Sequence, residues 1–299
     1  MRMLNTYIKQ LVLLILSRST DFATSTSYPD SPFSKPPSIY SDMHKTFRQH
    51  CNPFGISIFA VGWPVMKFKH ACNMLAQMLD NNQDGCADDP RVVKLMRRMG
   101  AGMAMARTEK ELMRFENKIS NKMRAQWLWA SETFPTCSGS DETANCRDAS
   151  IEEIFHLVSS MGLGIAYPKD FSDCRSNSGS NRKNRSMMQK FMDTARGGHY
   201  VSVPQKYPTK AIYHYNDKTC DYGCQGTEFL YWAITSLLGG QDKRARSNMN
   251  EWEASTPSDL RSKARGMYNL LAKKKENDIY FCSRDSSWNG LAYWCCWHL

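Results

Sequence analysis

No two cysteines of this chain stand in a C-x2-C pair, so the spacing of a structural zinc module is missing. No glycine-rich phosphate loop occurs, which removes the nucleotide-binding motifs. No G-x-S-x-G elbow occurs either, which removes the serine hydrolases built on it. Past the N-terminus there is no apolar run of ~18 residues, so no segment reads as a membrane-spanning helix. Internal repeats are absent, and with them the solenoid architectures.

What is present is a chain of 299 residues, 41% hydrophobic, long enough for one large core. Its formal charge of +10 gathers in three basic runs, Arg182–Arg185, Lys243–Arg246 and Lys273–Lys275. Such runs attract polyanions. Aromatic residues do not interleave with them, so the pattern gives no clear nucleic-acid surface. Acidic glycans of an extracellular matrix are the partner it fits, in a basic adhesion protein.

The 11 cysteines point to an oxidising compartment. Cys137–Cys146 and Cys220–Cys224 are plausible local bridges, and the odd count leaves at least one thiol unpaired or joined to another chain. Arg2 and Lys9 precede the apolar run Leu11–Leu16, and small residues follow at Ser17, Ser19, Ala23 and Ser25. The stretch 1–25 therefore reads as a signal peptide of a secreted protein. The sequon Asn184-Arg-Ser186 suits the same compartment. Residues 26–42 are a flexible Ser/Pro-rich linker, 43–277 a single globular domain, and 278–299 a Cys/aromatic-rich tail. The tail is either a packed terminal hairpin or an aberrant end of the coding sequence.

Within the domain, Ile56–Val61 reads as a buried strand. Val65, Phe68, Cys72, Leu75 and Leu79 repeat at helical spacing, and Cys72 lies on that apolar stripe as a core residue. Pro90 opens the next helix behind Asp89. Capping boxes at Thr108/Glu111 and Ser150/Glu153 open two more helices. Met187–Ala195 is an amphipathic helix stopped by Gly197-Gly198. Val201–Val203 and Ala211–Tyr215 alternate like strands, Phe229–Leu238 is a buried helix, and Thr256-Pro257 caps a last one. The expected fold class is α+β, mostly α-helical, with a few short strands and a helix-loop-helix calcium loop.

That loop is Asp80–Asp89, D-N-N-Q-D-G-C-A-D-D. Asp80, Asn82, Asp84 and Asp88 fall at positions 1, 3, 5 and 9 of an EF-hand-type loop, and Gly85 takes the sharp turn at position 6. Cys86 and Asp89 complete the candidate set for Ca2+. Arg91 stands where the pattern has a bidentate Glu, so affinity should be modest unless Asp89 or a distant carboxylate substitutes.

A second constellation is Glu152-Glu153-Ile154-Phe155-His156. Successive helical residues turn ~100°, so Glu152 and His156 sit ~40° apart on one face. Ile151, Ile154, Phe155 and Val158 share the opposite face. The segment resembles the HExxH signature of zincin metallopeptidases, with Glu in place of the first His. That resemblance implies Glu152 and His156 as metal ligands and Glu153 as the base that polarises the attacking water. Glu228, opening a buried apolar helix, is the candidate third ligand, as in gluzincins. One His and two carboxylates would suit Zn2+, with Mn2+ or iron as alternatives, and a peptide substrate. Each residue also has a structural reading: Glu153 in a capping box, Glu152 and His156 as a solvated pair, Glu228 in a first helical turn. The leading expectation is a secreted protein with structural Ca2+, and the metallohydrolase is the alternative.

Overall fold

A computed structural model describes residues 34–135, 140–141, 146–173, 185–241 and 251–272. A four-stranded sheet, order β1-β2-β3-β4, is formed by β1 (Gln49–Cys51), β2 (Ser57–Ala60), β3 (Ala101–Ala106) and β4 (Arg124–Trp129). β1 pairs antiparallel to β2, while β2, β3 and β4 are mutually parallel in that order. Helices α1 (Val65–Leu79) and α2 (Pro90–Arg98) connect β2 to β3, and α3 (Glu109–Arg114) connects β3 to β4.

The period of 2 along the strands sorts residues to two faces. Ile58, Met103, Met105 and Leu128 join the main core under α1 and α2. Phe59, Ala104 and Ala106 face a smaller core with Tyr40, Phe47 and Leu112. Packing thus reaches back to Tyr40, within the stretch expected to be linker. Gly102 is required in β3, because a Cβ there would stand 2.7 Å from the Ser57 carbonyl oxygen of β2.

Downstream come α4 (Ala149–Val158), a π-helical turn Ser159–Leu163, α5 (Met187–Arg196), α6 (Tyr222–Leu237), α7 (Pro257–Lys263) and α8 (Arg265–Ala272). α4 packs against α1, β4 and α6. The architecture is mixed, about half helical, with the four-stranded sheet and a two-stranded one (Ser140–Asp141 with Cys146–Arg147), so α+β holds at the level of class. Among the described residues no helix is long and apolar enough to cross a membrane.

Several local expectations change. Helix α4 starts two residues early: Asp148 is its N-cap, accepting from the Ser150 amide, so Ser150 and Glu153 make no capping box. α6 begins at Tyr222 behind Asp221, which places Glu228 in its second turn and not at a helix start. Thr108 caps α3, but the Glu111 carboxylate goes to Arg107. The alternating stretches 201–203 and 211–215 form no strand. Tyr213 makes an isolated bridge to Trp252, and the alternation reflects aromatic packing against Phe229 and Trp252. Cys72 is buried and also bonded to Cys51, tying β1 to α1. Cys220 and Cys224 are bonded as expected. The signal peptide, Cys137 of the Cys137–Cys146 pair, Asn184 and the C-terminal tail lie outside the described residues, as do the basic runs apart from Arg185.

Candidate metal centre

Helix α4 is fastened at its N-terminus by a buried network. Asp148 Oδ2 lies 2.7 Å from His70 Nε2 of α1, and the Ser150 hydroxyl donates to Asp148 Oδ1 at 2.8 Å. The Phe134 amide also donates to this carboxylate, at 3.2 Å. Burial alone would raise the Asp148 carboxyl. The hydrogen bond and charge of His70 and the bonds from Ser150 outweigh it, and the net shift is downward. One turn along, Gln126 Nε2 of β4 donates to Glu153 Oε2 at 2.6 Å. Just past the helix, the hydroxyls of Ser160 and Thr227 are 3.3 Å apart, joining the π turn to α6.

These ties aim one face of α4 at α6. Glu152 and His156 are 7% and 5% exposed. His156 Nε2 lies 3.6 Å from Glu228 Oε2, and its Nδ1 lies 3.7 Å from Glu153 Oε2. The Tyr231 ring packs edge-on against the imidazole at 5.9 Å between centroids. One ligand atom from each of Glu152, His156 and Glu228 falls within 4.8 Å of the other two. Two largely buried carboxylates so close repel unless a cation lies between them. One imidazole and two carboxylates suit zinc, manganese or iron, so this donor set can hold an ion.

Glu153 is set apart from the ligand set. Its side chain is 26% exposed, against 13% for Glu228, so it borders both solvent and the cluster. Tyr215 also belongs to this neighbourhood. Burial raises its phenol, and the charges of Glu228, Asp217, Glu251 and Glu153 push the same way, so it stays protonated at neutral pH. Gln126, Ser160, Thr227, Tyr215 and Tyr231 carried no sequence signal as site residues. Their relevance comes from contacts between elements far apart in the chain.

The Asp80–Asp89 loop is arranged differently. Asp80 accepts from the amides of Asp84 at 3.2 Å and Gly85 at 2.9 Å. Asn82 Oδ1 accepts from the Asp84 amide, and Asp84 Oδ1 from the Cys86 amide. Gly85 turns with φ of 84°, as the turn position of a calcium loop requires. Asp88 binds the amide and side chain of Asn81, while Asp89 caps α2 and accepts from the Tyr167 hydroxyl. Cys86 is in a disulfide. Burial, with help from the Asp84 and Asp88 charges, pushes the Asp80 carboxyl up to about 6. Among the described residues, only Glu152, His156 and Glu228 bring three ligand atoms together, and the loop acids do not form such a group.

No family model, curated protein or solved structure matches this chain.

Proposed function

We propose that this chain is a metal-dependent hydrolase whose catalytic ion is held by Glu152, His156 and Glu228. The carrying observation is the convergence of those three ligand atoms within 4.8 Å, from two helices that pack together. A bound divalent ion would act as a Lewis acid and lower the pKa of a coordinated water. Glu153, partly exposed and bonded to Gln126, would take a proton from such a water. Tyr215, whose phenol burial and the Glu228 and Glu153 charges keep protonated, would donate to developing negative charge. A peptide is the substrate class this reading favours. β4 is the last strand of the sheet order and runs beside α4, and an extended chain can pair with such an edge. The Cys51–Cys72 and Cys220–Cys224 bridges support a secreted enzyme.

The experiment is elemental analysis of the purified protein, followed by chelation and reconstitution. Near-stoichiometric zinc, manganese or iron in wild type, lost in His156→Ala, supports the reading. A metal-free wild type that takes up none of the three ends it.

A structural Ca2+ in the Asp80–Asp89 loop is a second reading. It is favoured by Asp80, whose buried carboxyl is crowded by Asp84 and Asp88 and would be relieved by a cation. The two readings are compatible in one secreted enzyme.

A further inference from the structure

Arg196 ends α5 and is 0% exposed, yet among the described residues none of Nε, Nη1 and Nη2 has a hydrogen-bond partner of good geometry. The nearest acid on its own helix does not serve it. Asp193 Oδ2 is shared by Arg185, His199 and Tyr222, and Oδ1 is not bonded to Arg196. A guanidinium stripped of water with no counter-charge is costly, and buried ones are normally paired.

What surrounds Arg196 is aromatic. Its Cζ lies 5.2 Å from the Tyr200 ring centroid and 5.9 Å from that of Tyr207. The two rings meet edge to face at 6.0 Å. Cation–π attraction offsets only part of the desolvation cost. Tyr207 is held in place by its hydroxyl, which donates to the Tyr215 carbonyl at 2.6 Å. The Arg196 charge and a hydrogen bond from its guanidinium counter part of the upward push that burial gives the Tyr207 phenol, so this neutral hydroxyl is the one polar group set against Arg196 by its electrostatics.

Both rings against Arg196 come from a loop. Residues 198–210 contain no helix or strand, and Val201, Ser202, Gln205, Lys206 and Lys210 in this segment are exposed. Access to the guanidinium requires this loop to move, and Lys206 and Lys210 would draw anions to such an opening.

We infer that Arg196 is the receptor for a small organic carboxylate, seated against the Tyr200 and Tyr207 rings. The planar fork of donors matches a carboxylate in two parallel hydrogen bonds, and the rings supply a wall for its apolar body. The inference does not depend on a metal at Glu152, His156 and Glu228.

The test uses the full chain with benzoate as probe and benzamide as its neutral isostere, at constant ionic strength, read by thermal shift and calorimetry. Benzoate should bind saturably and raise Tm, and benzamide should not. Arg196→Lys, which keeps the charge and loses the fork, should weaken benzoate by about tenfold or more. The idea is overturned if benzoate and benzamide act alike, if neither binds, or if Arg196→Lys binds benzoate as wild type does. An equal response to chloride would also overturn it, since the site would then be one for any simple anion. The benzoate–benzamide contrast is read on wild-type protein, so it survives a variant that fails to fold.

Discussion

Glu228→Gln should act in opposite directions on the metal-free and metal-loaded protein. The substitution keeps the shape of the side chain and removes its charge. Without an ion, carboxylates of Glu152 and Glu228 confront each other within 4.8 Å. At an effective dielectric of about 20, charges at that separation repel by about 3 kcal/mol. Solvent at the partly exposed Glu228 screens some of this, so a gain of roughly 1 kcal/mol for chelated Glu228→Gln over chelated wild type is expected. With metal the order reverses. An ion at 100 times its Kd stabilises the native state by about 2.7 kcal/mol, which for a domain of this size raises Tm by roughly 5–10 °C. Glu228→Gln should forfeit most of that rise. The assay is differential scanning calorimetry of both proteins in chelator and in excess zinc or manganese. Equal metal-induced shifts in the two proteins would refute the ligand role of Glu228. If a protonated His156 simply bridges two carboxylates, neither protein responds to chelator or metal, and Glu228→Gln loses stability in both buffers.

Three further outcomes are expected. Millimolar Ca2+ should raise the Tm of wild type and leave Asp80→Asn unmoved, as calorimetry will show; an unresponsive wild type removes the calcium reading. Because the Asp148 carboxyl is depressed in the folded state, its stabilisation is present above the ordinary aspartate range and disappears as pH falls through the lower folded value. Acid denaturation should therefore begin at higher pH in His70→Ala than in wild type, and coincident acid transitions by circular dichroism would contradict the network. Replacing Cys51 and Cys72 together by Ser opens a loop of sequence separation 21 and should cost about 3 kcal/mol in urea titrations by the chain-entropy argument; a loss under 0.5 kcal/mol would count against that argument.

The helices were the legible part of this fold. α1 and α5 follow from apolar spacing and stop signals, since Asp80 ends one and Gly197 caps the other with φ of 73°. The sheet was mostly hidden. β3 reads A-G-M-A-M-A, with no β-branched residue, and is a strand only because β2 and β4 flank it and both its faces are buried. In the same way, tertiary packing decided the site. The i, i+4 pair Glu152 and His156 was visible in the sequence, and a buried Glu228 was a reasonable third partner. What the chain order concealed was the set of anchors. Gln126 lies on an unrecognised strand, and Tyr215 was read as part of a strand that does not form. The apparent capping box at Ser150 and Glu153 was misleading because Asp148, one position upstream of the helix, took the cap.

The helix that carries His156 is moored at three heights to three different neighbours: α1 through His70, β4 through Gln126, and α6 through Thr227. Strain entering at any mooring therefore tilts the same rod. A cation seated on that rod would slow amide exchange in all three neighbours in concert, and cutting one rope would loosen its grip without touching a ligand.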